Sequence, residues 1–237
     1  MSFKNEVVIV TGSSGIGAAT ALMFAEEGAD VALVARSQAK LAAVAKSIEA
    51  LGRKSLIIQA DLSKEAATAI VVPKTVEHFG KLDVVNNAGI SPAGSSTEGT
   101  VFAYDVVMKT NVLAVIQLTS MVNISSVVAL RPCKNPELLP YFVSKAALDH
   151  FARCTADVEQ ASSGVRVNTV NPGPVDDDIN SNNNIGDPKV IRQALIDATL
   201  QGFIATNEDI GGVILFLTSD KAKSITGYNY VMDNGLV

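Results

Sequence analysis

The most constraining feature of this sequence lies near its beginning. A four-residue apolar run, Val7 to Val10, leads directly into Thr11-Gly12-Ser13-Ser14-Gly15-Ile16-Gly17, and an Ala-rich stretch of helical character comes next. A buried strand that turns through glycines into a helix is a narrow prescription. It sets the helix N-terminus, with unpaired N–H groups and a positive dipole end, beside a backbone that glycine leaves open to a pyrophosphate. Three glycines in seven residues are a weak signal alone; the strand before and the helix after give them meaning.

The rest of the chain repeats that alternation. Residues 6–11, 31–35, 55–60, 82–86, 121–125, 165–171 and 228–232 read as strands. Several are apolar at nearly every position, as strands covered on both faces are. Ile210, Val213, Ile214 and Leu217 recur at helical spacing behind the N-cap candidates Thr206 and Asn207. The expectation is an α/β fold: one doubly wound parallel sheet with helices on both faces, a single domain over residues 1–237. Ligands of such sheets bind at the carboxyl ends of the strands. A hydrophobic share of 48% excludes a disordered chain, and a net charge of −5 argues against nucleic-acid or membrane partners. No segment approaches the length of a signal peptide or a membrane span, so a cytoplasmic protein is expected. Cys133, Cys154 and two scattered histidines predict no metal site.

Three further segments carry chemistry. The second strand ends Val34-Ala35-Arg36-Ser37, where a dinucleotide site reads the adenosine ribose with an acid for a 2′-hydroxyl or an Arg for a 2′-phosphate. Asp30 stands at the other end of that strand, so Arg36 favours NADP(H), with NAD(H) possible. Tyr141-Phe142-Val143-Ser144-Lys145 opens a helix with Pro140 near its first position, and a spacing of four sets Tyr141 and Lys145 on one face. Upstream, Asn123-Ile124-Ser125-Ser126 ends an apolar strand. The stretches 91–99 and 176–188, Gly/Ser-rich and Asp/Asn-rich, read as loops rimming the ligand crevice.

Taken in order, the glycine loop, Asp61-Leu62, Asn86-Asn87-Ala88-Gly89, Asn111, Asn123-Ile124-Ser125-Ser126, Tyr141-x-x-x-Lys145 and Asn171-Pro172-Gly173-Pro174 resemble the short-chain dehydrogenase/reductase family. The likeness runs from about Lys4 to Gly235, and is strongest to 3-oxoacyl-carrier-protein-reductase-like and insect or nematode members. It implies an oxidoreductase interconverting a small carbonyl compound and a secondary alcohol, as a homodimer or homotetramer. By the same resemblance Tyr141 is the acid/base, Lys145 its ribose-binding partner, Ser126 the donor to the substrate oxygen, and Asn111 the anchor of a water chain. Gly12, Ser13, Ser14, Gly15, Ile16 and Gly17 would cradle the diphosphate. Asp61 and Leu62 would flank the adenine, Asn87, Ala88 and Gly89 line the cofactor, and Pro172, Gly173 and Val175 pass the nicotinamide.

The chain also departs from the family pattern. Between Gly12 and Gly15 only Ser13 and Ser14 remain, one residue fewer than usual, and the strand before Asn86 is shortened equally. A one-residue change swaps the faces of every later side chain in a strand, so this strand either starts later or is locally distorted. Asn111 and Ser126 lie 15 positions apart, well short of the usual span, which predicts a truncated helix and a displaced Asn111. The segment 131–138 carries a small compensating insertion, and Asp177 stands where a Thr usually holds the carboxamide. These shortenings mark either a trimmed family member or a sequence from which residues are missing. The competing reading is accordingly a catalytically impaired cofactor-binding or scaffold protein.

Overall fold

The computed structural model describes residues 3–87, 100–118, 121–133, 135–176 and 187–237. Among them, β1 (Val7–Thr11), β2 (Asp30–Ala35), β3 (Ser55–Gln59), β4 (Val84–Asn87), β5 (Val122–Ile124), β6 (Asn168–Pro172) and β7 (Asn229–Met232) form one sheet in the order β3-β2-β1-β4-β5-β6-β7. Every pairing in it is parallel. The chain winds outward from β1 to β3, returns to β4, and winds outward again to β7. That reversal opens a crevice above the carboxyl ends of β1 and β4. All seven predicted strands are present, with ends shifted by up to three residues, as frayed strand termini lead one to expect.

Helices α1 (Gly15–Glu26), α2 (Gln38–Ala50), α3 (Glu65–Ala69), α4 (Val71–Phe79), α5 (Thr100–Met108), α6 (Ala114–Leu118), α7 (Leu139–Ser163), α8 (Pro188–Asp197) and α9 (Asn207–Thr218) make the crossovers. Alternate strand residues separate into two cores. Val8, Val10, Val31, Leu33 and Val170 pack with Phe24 of α1, Leu41 and Ile48 of α2, and Ile210 and Ile214 of α9. Ile9, Ala32, Val34 and Ile58 face the other way, against Val71 of α4 and Leu118 of α6. The uninterrupted apolar runs thus serve two helical layers, and each fully buried Leu, Ile or Phe contributes roughly 1.5–3 kcal/mol over exposure. Thr206 caps α9 through a reciprocal pair with Asp209, the first of the two predicted candidates.

The shortened segments resolve into regular structure. β4 holds an unbroken register with β1, Val8↔Val84 to Val10↔Asn86, so the strand starts later and is not distorted. β5 enters the sheet level with Asn86 and Val10 and keeps only three residues. Its helix therefore returns to a point above the foot of the sheet, which accommodates a crossover that looked too short. A π-helical turn, Lys109–Leu113, joins α5 to α6. Its wider turn takes in an extra residue and re-aims the side chains beyond it.

Candidate active site

The described residues among those predicted for the dinucleotide lie at the carboxyl edge of the sheet. Gly12, at φ 106°, leaves β1 in a conformation that disfavours any side chain, and its N–H donates to the Val34 carbonyl at 2.8 Å. Ser13 and Ser14 come next, and α1 begins at Gly15, with Ser14 as an extended N-cap whose side chain makes no capping hydrogen bond. Ile16 packs against the core beneath α1. A Cβ on Gly17 would stand 2.9 Å from the carbonyl oxygens of both Thr11 and Gly12. The helix can approach the strand this closely only without that atom. Arg36 directly follows β2 and is exposed, while its carbonyl accepts from Gln59 Nε2 at 2.9 Å. Asp61 and Leu62 follow β3. Burial pushes the Asp61 carboxyl up, but hydrogen bonding from Ser63 and the cations Arg36 and Lys64 hold it below its ordinary range.

A second cluster lies where β5, β6 and α7 meet. Pro140 sits in the first turn of α7, one residue before Tyr141. Lys145 comes one helical turn later, with Nζ 5.7 Å from the centroid of the Tyr141 ring. It is 2% exposed and donates to the Ile124 carbonyl at 2.5 Å, two residues before Ser126. Burial pulls the Lys145 ammonium down to about 8, against the nearby Asp149 charge, which favours protonation. Ser126, also buried, caps a short 3₁₀ turn: its Oγ accepts from the Val128 N–H at 3.3 Å and faces the Pro172 carbonyl at 3.5 Å. Asn111, wholly buried in the π-turn, donates from Nδ2 to Ser144 Oγ at 3.1 Å, and Ser144 Oγ donates to the Tyr141 carbonyl at 2.8 Å. The π-turn holds Asn111 against α7 despite the short span to Ser126.

At the end of β6, Pro172 pairs with Met232, and beyond it Gly173 passes so near Asp233 that a Cβ would meet its Cα at 2.7 Å. Val175, buried, bridges to Ala205, and Asp176 is clamped by Arg192 of α8 at 2.6 and 3.1 Å. The site thus has a close-packed glycine turn at β1, a charged rim at β2 and β3, and a hydroxyl–ammonium–hydroxyl group at β5 and α7.

Residues 10–237 match the family model described as enoyl-(acyl carrier protein) reductase. The L-xylulose reductase of Caenorhabditis elegans is 34% identical, covering 98% of this chain and 96% of its own. The 3-oxoacyl-[acyl-carrier-protein] reductase of Thermotoga maritima is 32% identical over the whole of both chains. The chain belongs to the short-chain dehydrogenase/reductase family. Among solved structures, the L-sorbose reductase of Gluconobacter frateurii, complexed with NADPH and L-sorbose, superposes with a TM-score of 0.90 at 28% identity, over 100% of this chain and 98% of that one. As a short-chain dehydrogenase/reductase this chain is an oxidoreductase of the carbonyl–alcohol class. The match to the Thermotoga reductase spans 252 aligned positions against 237 residues here.

Asn87 ends β4 opposite Asn123. Ala88, Gly89 and Asp177, together with the stretch 91–99, lie outside the described residues. Sequence reasoning missed Ser144, Asp149 and the side chain of Asn171. Ser144 and Asn171 lay inside motifs read for other residues. Asp149 carried a readable signal, since 141, 145 and 149 are successive steps of four on one helix.

Proposed function

We propose that this short-chain dehydrogenase/reductase is NADP(H)-dependent and interconverts a small carbonyl compound and a secondary alcohol, with Tyr141 as the acid/base. The observation carrying this reading is the Tyr141–Lys145 stack at 5.7 Å, with Ser126 two residues beyond the carbonyl that receives the buried ammonium. A tyrosine hydroxyl ordinarily titrates near 10, and moving it toward 7 requires about 4 kcal/mol in favour of the phenolate. A buried ammonium beside the ring acts in that direction. Lys145 retains that charge at neutral pH because its own value stays at about 8.

The open turn from Gly12 to Gly17 fits a diphosphate, and Arg36 at the end of β2 fits a 2′-phosphate. NADP(H), when bound, supplies or accepts the hydride. In the reducing direction Tyr141 gives its proton to the substrate oxygen as negative charge develops there. Ser126 donates a hydrogen bond to the same oxygen, and Lys145 stabilises the phenolate left behind. Asn111 and Ser144 hold the first turn of α7 and so fix where the Tyr141 hydroxyl stands. Pro172, Gly173 and Val175 form the wall opposite. The NADPH carried by the Gluconobacter sorbose reductase supports the cofactor assignment.

Titration of the protein with NADPH and NADH, followed by turnover across aldehydes, ketones and ketoses, tests this reading. We expect tighter NADPH binding and measurable oxidation of it with at least one carbonyl class. NADPH binding with no turnover on any of them would favour the scaffold reading.

A further inference from the structure

The stripe of α7 that carries Tyr141 and Lys145 ends in a carboxylate that the mechanism above leaves unused. Asp149 is 4% exposed, and Asn171, which it meets, is 0% exposed. The Asn171 amide donates to Asp149 Oδ2 at 2.8 Å and to the Ser126 carbonyl at 3.1 Å. One planar amide therefore ties a carboxylate on α7 to the backbone of the residue assigned to the substrate oxygen. The Ser125 hydroxyl, which donates to the Lys145 carbonyl at 3.1 Å, stands beside the same carboxylate and also favours its charge. Oδ1 of Asp149 and Oδ1 of Asn171 are both buried without a hydrogen-bond partner among the described residues. An apolar side chain would pack here without orphaned acceptors, so the carboxylate is poorly explained by stability alone.

We propose that Asp149 is a positioning residue: its charge keeps Lys145 protonated, and its hydrogen bond fixes the amide that holds Ser126. Among the described residues, few groups face the pair. Tyr141 and Arg153 face it from α7 itself. From β5, β6 and the π-turn come Ser125, Asn171 and, through Ser144, Asn111, all of them neutral. Burial works against both charges, lowering Lys145 and raising Asp149. At Lys145 the Asp149 charge opposes that burial; at Asp149 hydrogen bonding from Ser125 and Asn171 opposes it first, and the Lys145 and Arg153 charges add to them.

The effect on turnover rests on the oxidoreductase reading; the effect on Lys145 does not. Asp149→Asn keeps the size and an acceptor for Asn171 but removes the charge. With lysine ¹³C-labelled at Cε, and Lys145→Met identifying the resonance, the Lys145 midpoint should fall by about 0.5–1 pH unit in D149N. Asp149→Glu should restore it. In the same variant kcat should drop about tenfold, its alkaline limb should move to lower pH by a similar amount, and KM for NADPH should change less than about twofold. Should D149N not fold, Asp149→Ser reads the same midpoint. A Lys145 midpoint unmoved in the folded variant overturns the proposal, whatever happens to kcat. A wild-type protein that turns over no carbonyl would instead sink the oxidoreductase reading, with the midpoint still decisive for Asp149.

Discussion

At the scale of single residues, the site sets function against stability. Lys145 is 2% exposed, and burial holds its ammonium at about 8 against an ordinary 10.5. Below about pH 8 the folded protein therefore binds that proton at a cost of roughly 3 kcal/mol relative to the unfolded chain. Between about 8 and 10.5 the unfolded chain holds more protons than the folded one, so this group makes stability rise with pH. Denaturant unfolding should accordingly find Lys145→Met more stable by about 1–3 kcal/mol at pH 7, the lower figure allowing for the Asp149 charge left behind. The advantage should shrink toward pH 10.5; a variant less stable at pH 7 would contradict this. The pair itself was legible because i,i+4 spacing has a geometric meaning. Its surroundings were not, since Asn171 reaches Asp149 from 22 positions away and no local pattern records that contact.

Elements were legible where one periodicity dominated. The seven strands announced themselves by apolar runs, and α9 by its spacing and its Thr206 cap. The shortened crossover was misjudged because arithmetic on helix length assumes a regular helix and a full-length strand. The π-turn and a three-residue β5 relax both assumptions, and neither has a sequence signature of its own. The glycine turn tests the element scale most sharply. In Gly17→Ala the new Cβ would stand 2.9 Å from two backbone oxygens that cannot yield as a side chain can. We expect a loss of roughly 1–3 kcal/mol in thermal or denaturant unfolding and at least a tenfold weaker Kd for NADPH. A variant that binds NADPH as tightly as wild type would show that α1 does not form the cradle.

For the whole molecule, the parallel order of the sheet gathers residues from the ends of β1, β2, β3, β5 and β6 along one edge. Family and topology were readable because the motifs fall in a fixed order along the chain. The stretches 91–99 and 177–186, expected to rim the crevice, lie outside the described residues, and loop geometry follows from packing and carries no period. On the proposed reading, Arg36 reads the adenosine end of the cofactor and so discriminates NADP(H) from NAD(H). Arg36→Ala should raise KM for NADPH about tenfold or more, with KM for NADH changed less than about twofold; an equal change in both would remove Arg36 from cofactor choice. The central claim is that Tyr141 is the acid/base of an NADP(H)-dependent carbonyl–alcohol oxidoreductase. It is tested most directly by comparing wild type and Tyr141→Phe for NADPH binding and for carbonyl-dependent NADPH oxidation. The prediction is an unchanged Kd with kcat lower by about 10²–10⁴-fold; a variant that retains most of the wild-type kcat would contradict it.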